Sequence, residues 1–128
     1  MTHRFDVTVY YEDTDMGGIV YHANYLKFIE RARSDWVRGL GVDQNMLRDG
    51  GLVFAVRRVE ADFLGPARLD DRLEVETEVL SATGARIELG QKIRSGGKTL
   101  FRAKVQLVAM DPAGGVRRLP AELRARIA

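Results

Sequence analysis

Residues 10–25 read YYEDTDMGGIVYHANY, and the order of chemistry in this stretch decides how the rest of the chain is read. An extended run with Phe5, Val7, Val9 and Tyr11 at alternate positions gives way to four polar residues, Glu12, Asp13, Thr14 and Asp15. Gly17 and Gly18 follow, a pair that reverses the chain and lets another molecule approach the main chain closely. The pattern then becomes helical from His22. The first N–H groups of a helix have no partner within it and carry the positive end of its dipole. A carboxylate in the turn and free donors at the helix start together suit a carbonyl whose oxygen gains negative charge.

Working outward, His22–Leu40 places Tyr25, Phe28, Ile29, Ala32 and Trp36 on one helical stripe, with charged residues between them. Gly39 and Gly41 end this helix, and a further short one over 42–49, opened by Asp43 as its cap, runs to Gly50 and Gly51. From Leu52 the period changes to that of strands, over Leu52–Leu64, Asp71–Ala82, Ala85–Arg94 and Lys98–Met110. Leu73, Val75, Thr77 and Val79 alternate with Glu74, Glu76 and Glu78, and Phe101, Ala103, Val105, Leu107 and Ala109 with Arg102, Lys104 and Gln106, giving one buried and one wet face. Ser95, Gly96 and Gly97 form a tight hairpin, and the four strands are expected to follow one another by hairpins. Pro120 opens a short amphipathic helix, AELRARIA. The fold class is α+β, an antiparallel sheet of about five strands wrapped around one long helix, in a single domain over residues 1–128. Such a sheet has an exposed edge, and pairing that edge with a second copy protects it, so at least a homodimer is expected.

The 128 residues, 45% hydrophobic and 30% charged, fit one globular domain. With no cysteine there is no disulfide, thiolate nucleophile or cysteine metal site. The N-terminus lacks the apolar core of a signal peptide, and no apolar run reaches the roughly 20 residues of a membrane span. A soluble cytoplasmic protein without membrane insertion is therefore expected. The net charge of +2 hides an asymmetry: residues 1–85 carry 10 Lys+Arg against 15 Asp+Glu, and residues 86–128 carry 10 against 3. The basic second part suits a phosphorylated ligand, or is a solvated sheet face.

Residues 10–36, YYEDTDMGGIVYHANYLKFIERARSDW, resemble the hotdog-fold acyl-CoA thioesterases of the 4-hydroxybenzoyl-CoA thioesterase type. They are most similar to the small bacterial acyl-CoA thioesterases associated with the Tol-Pal cell-envelope system. Strand order and length extend the resemblance from Phe5 to Pro120. It implies hydrolysis of an acyl-CoA substrate to a carboxylic acid and free coenzyme A. It also implies that Asp15, the second aspartate of the DxD segment, is catalytic, and that Asp13 is not. The backbone N–H of His22, seven positions on, would hold the thioester carbonyl; the Tol-Pal-associated subgroup has histidine there and the aromatic-substrate enzyme has tyrosine.

Two roles for Asp15 remain open, as a nucleophile forming a mixed anhydride or as a base activating water. The His22 ring orients Asp15 or a water, bonds the substrate, or serves as a cap. Gly17, Gly18 and Tyr25 fall on substrate-binding positions, although Tyr25 also lies on the apolar stripe of the helix. Arg86, with Arg117 or Arg118, aligns near positions that contact the phosphates of coenzyme A. Leu52, Phe54, Val56 and Phe63 would line the acyl pocket from a partner copy. The resemblance further implies active sites at the interface of a homodimer or a dimer-of-dimers homotetramer, and no metal or other cofactor, coenzyme A being part of the substrate.

Asp13, Asp15 and His22 also offer oxygen and nitrogen ligands to a divalent metal, but no HExxH motif, cysteine pair or second histidine cluster completes a site. A catalytically idle hotdog module binding acyl chains or an envelope partner protein is the main alternative, and the intact Asp15 argues against it. An enoyl-CoA hydratase would carry a longer helix motif than is present. The positive charge raises nucleic-acid binding, which nothing in the motif supports.

Overall fold

The computed structural model describes residues 2–41 and 44–127. In chain order it contains β1 (His3–Thr8), a 3-10 turn (Tyr11–Asp13), α1 (His22–Gly39), α2 (Gln44–Asp49), β2 (Val53–Phe63), β3 (Arg72–Thr83), β4 (Arg86–Ser95), β5 (Lys98–Met110) and α3 (Ala121–Ile127). The Asp43 cap expected for the short helix lies outside the described residues. Among them, no helix is long and apolar enough to cross a membrane.

The five strands form one antiparallel sheet in the order β1-β3-β4-β5-β2, with β1 and β2 at its edges. The alternation in the sequence sets its two faces. Leu73, Val75 and Thr77 on β3 and Phe101, Val105 and Ala109 on β5 are buried toward α1, while the glutamates and lysines between them face outward. Helix α1 returns the same chemistry: Tyr25, Phe28, Ile29, Ala32 and Trp36 are buried as the stripe predicts, and Val37 joins them. The β4–β5 hairpin closes on Gly96 and Gly97, both at positive φ (55° and 83°), the mirror-image turn whose twist matches the strands it joins.

Two expectations need correction. First, the leading strand stops at Thr8, and Tyr11 sits in the 3-10 turn rather than in an extended run. The Asp13 carboxylate accepts the N–H of Tyr10 while the Asp13 N–H donates to the Tyr10 carbonyl at 3.0 Å. This local closure takes the backbone away from the ladder. Second, the four later strands are not a run of hairpins. β2 pairs with β5, so residues 64–71 cross from one edge of the sheet to β3, its second strand from the other side. That crossing runs beneath the N-terminus of α1, where Ile19 bridges Arg68 and the Val20 N–H donates to the Ala67 carbonyl at 2.8 Å.

Candidate active site

The turn between the first strand and α1 is a small closed hairpin. Thr14 bridges Val20, and the Asp15 N–H donates to the Ile19 carbonyl at 2.9 Å. The Gly18 N–H returns to the Asp15 carbonyl at 3.0 Å, with Gly18 at φ 76°, a backbone that glycine adopts without strain. Below the hairpin, the Asp13 carbonyl receives both the Tyr21 N–H at 3.0 Å and the Asn24 side-chain amide at 2.9 Å. The turn is therefore locked onto the first residues of the helix. Asp13 is only 8% exposed and is committed to this scaffold.

Asp15 is placed differently. It is exposed, and its Oδ1 accepts the Gly17 N–H at 2.8 Å. A Cβ added at Gly17 would stand 3.2 Å from that oxygen, so the bare backbone permits the approach. No hydrogen bond to Oδ2 forms among the described residues. One oxygen of an exposed carboxylate is thus anchored while the other has no partner among the described residues.

His22 is the first residue of α1 and follows an extended Tyr21 (φ −61°, ψ 131°). The Tyr21 carbonyl takes the Asn24 N–H at 2.8 Å, and no acceptor among the described residues takes the His22 N–H. That donor lies at the positive end of an 18-residue helix. The His22 ring is exposed, tilted against Tyr21 at 4.7 Å and edge-on to Phe63 at 6.1 Å.

The other expected site residues divide. Gly17 and Gly18 shape the Asp15 turn. Tyr25 is 4% exposed, and its hydroxyl accepts the Ala67 N–H at 3.0 Å, fixing the crossing segment to the helix. The three arginines are elsewhere. Arg86 opens β4 opposite Val108, whereas Ile93, opposite Phe101, lies at the end nearest Phe63. Seven residues at about 3.3 Å each put roughly 23 Å between the two ends. The Arg117 N–H pairs with the Ala109 carbonyl at 2.8 Å, and its guanidinium reaches the Gly51 carbonyl at 3.4 Å, at the start of β2. Arg118 is exposed beside it. One chain therefore carries Asp15 and His22 on one locked turn and helix start but leaves the arginines at the far end of the sheet. Among the four expected acyl-pocket residues, Leu52 is buried, Phe54 is partly buried against the core, and Val56 and Phe63 are exposed.

A family model described as the thioesterase-like superfamily matches residues 9–127. Over 110 residues the chain is 44% identical to the acyl-CoA thioester hydrolase YbgC of Escherichia coli O157:H7, a match covering 85% of this chain and 82% of that protein. The acyl-CoA thioesterase YbgC of Haemophilus influenzae is 44% identical over 108 residues, 84% of this chain and 79% of its own. A probable thioesterase from Bartonella henselae, known by its crystal structure, superposes with a TM-score of 0.90 at 40% identity, over 94% of this chain and 100% of that one.

Proposed function

The chain is an enzyme of the thioesterase-like superfamily, and from that premise we propose that it hydrolyses an acyl-CoA to a carboxylic acid and free coenzyme A. One observation carries the reading. The Asp15 carboxylate has one oxygen fixed by Gly17 and the other without a partner among the described residues, in a turn locked to a helix start whose first N–H has no acceptor among them either.

A thioester needs little help with its leaving group, because a thiolate is stable. The enzyme must chiefly place an oxygen nucleophile and polarise the carbonyl. In this reading the thioester oxygen sits at the His22 N–H, where the positive helix end supports the charge that builds as the carbonyl becomes tetrahedral. Oδ2 of Asp15 then acts in one of two ways. It attacks the carbonyl carbon and expels the coenzyme A thiolate, leaving a mixed anhydride that water cleaves. Alternatively it takes a proton from a water that attacks directly, and that proton goes on to the departing thiolate. Both routes consume one water and release the same products.

The proposal includes a second copy of the chain. The outer edge of β2 is the natural place for pairing, giving a homodimer or a pair of such dimers. A second copy is also a source for the arginines that one chain cannot bring to its own Asp15. A cytoplasmic location, which the lack of cysteine suits, belongs to the proposal, and the subgroup resemblance adds a link to the Tol-Pal envelope system.

The test is free-thiol release by purified protein from a panel of acyl-CoAs, with wild type beside Asp15→Asn. Wild type should release thiol, and the variant should be slower by about 100- to 10,000-fold, the range for losing a positioned acid–base group. Full activity in the variant would overturn the assignment of Asp15. Silence of the wild type across the panel would leave the non-catalytic binding module as the better reading.

A further inference from the structure

The ring of Phe63, at the end of β2, lies 5.7 Å from Tyr25 at 71° and 5.1 Å from Phe101 at 67°, besides its 6.1 Å edge contact with His22. Tyr25 and Phe101 are themselves stacked at 5.3 Å with planes 5° apart. These two rings are 4% and 0% exposed, whereas Phe63 is 52% exposed. Phe63 is therefore the outermost plate of an aromatic column that begins in the core and ends beside the first residue of α1.

This plate is fixed. Phe63 sits opposite Phe101 in the β2–β5 ladder, and the next two N–H groups, of Leu64 and Gly65, both donate to the Leu100 carbonyl, at 2.8 and 3.0 Å. Swinging the ring aside would break three edge-on ring contacts together. An apolar ring held half in solvent forgoes burial that most phenylalanines obtain. With Tyr21 it forms apolar surface next to the helix start, and the rings behind it are buried.

Resting on the reading of the His22 N–H as the seat of the thioester carbonyl, we infer that Phe63 of the same chain sets the length of the acyl group. It closes the inner end of the acyl site, so short acyl chains are accepted and longer ones meet the ring. Phe63 thereby acts from its own chain on the substrate held at its own helix, and not only as a wall lent to a partner copy.

The experiment measures kcat/KM for butyryl-CoA and octanoyl-CoA with wild type, Phe63→Ala and Phe63→Leu. Wild type should favour butyryl-CoA. Removing the ring opens a slot against Tyr25 and Phe101, and each methylene brought into apolar contact is worth about fourfold. The octanoyl-to-butyryl ratio should therefore rise by at least about tenfold in Phe63→Ala and by less in Phe63→Leu. A purely structural role would lower both substrates together and leave the ratio unchanged, which overturns the inference; so does a wild type that prefers octanoyl-CoA. If Phe63→Ala does not fold, Phe63→Leu decides by the same ratio. Failure of the underlying hydrolase reading looks different, since wild type would then release thiol from neither substrate.

Discussion

The Asp13 carboxylate accepts the backbone N–H of Tyr10 at 2.9 Å, closing a turn around itself, while Asp15 two residues later spends a single oxygen on Gly17. Two acids of identical chemistry thus have separable tasks. Asp13→Ala should lower unfolding free energy by about 1–3 kcal/mol, because a part-buried donor loses a charged acceptor. Asp15→Ala should change it by less than about 0.5 kcal/mol, as an exposed residue does, while abolishing most thiol release. Urea denaturation alongside activity checks both. Equal stability losses in the two variants would remove the distinction.

Tyr25 offers a similar separation. Its hydroxyl is occupied by the Ala67 N–H, and the Ala67 carbonyl in turn holds the Val20 N–H ahead of α1. Tyr25→Phe leaves the buried Ala67 donor without its acceptor, which should cost about 1–3 kcal/mol. The urea midpoint should fall with an unchanged slope, and KM for acyl-CoA should move less than threefold. A KM raised more than tenfold at unchanged stability would instead put the hydroxyl on the substrate.

The sequence was most legible where local pattern decides structure. The helix start at His22, the apolar stripe from Tyr25 to Trp36 and the in–out alternation of Leu73, Val75 and Thr77 each follow from side chains within a few positions of one another. It was less legible where a distant pairing or a single side-chain bond decides. β2 joins β5 across about 40 to 60 residues of chain, a choice that strand propensity cannot express, so a hairpin with β3 was the simpler reading. Asp13 bends Tyr11 out of the first strand through one carboxylate bond that apolar alternation does not report. Asp15 and His22 share one short segment, a closed turn and the helix start it is bonded to, because only seven positions and a glycine turn separate them. Arg86, Arg117 and Arg118 do not join them, since basic composition carries no information on which end of the sheet a residue occupies. The nearness of Phe63 to His22 had a signal only in hindsight: an aromatic residue placed immediately before the Leu64–Gly65–Pro66 exit of a strand.

Gln91 stands beneath α1 as a buried polar junction. Its amide nitrogen donates to the Ile29 carbonyl at 3.0 Å and to Thr77 Oγ1 at 2.9 Å, and its oxygen accepts from Arg33 at 3.1 Å. Burial pulls the Arg33 guanidinium below its ordinary range, with Glu30 opposing in part. The unfolded chain therefore holds that proton more tightly, so the resulting stability penalty is complete at neutral pH and eases only as pH climbs through the lowered value. Gln91→Ala removes three bonds and leaves a partly buried charge, which should cost about 3 kcal/mol or more. Arg33→Met removes the charge itself and should cost less than Gln91→Ala. Chemical denaturation of both variants at pH 7 checks the order, and a costlier Arg33→Met would mean that the ion's contacts outweigh its desolvation.

β2 is an 11-residue edge strand that carries Val56 at 48% exposure, with a register shift immediately after it that brings in Arg57. A long edge strand left open invites strand pairing, and a lysine at the apolar Val56 position discourages it. If the proposed dimer or tetramer pairs through this edge, Val56→Lys should give a monomer in light scattering at micromolar concentration where wild type is larger. Its effect on catalysis follows from the distance between ends of the sheet. The candidate phosphate contact at Arg86 stands roughly 23 Å of strand from the end of the sheet nearest Phe63, and Arg117 and Arg118 lie at the Arg86 end. A monomer should keep Asp15 and His22 in place yet lose those contacts, raising KM for acyl-CoA by tenfold or more, with KM rising as salt is added to wild type and flat in the variant, so that the gap between them narrows. A monomeric variant with an unchanged KM would mean that each chain holds a whole site.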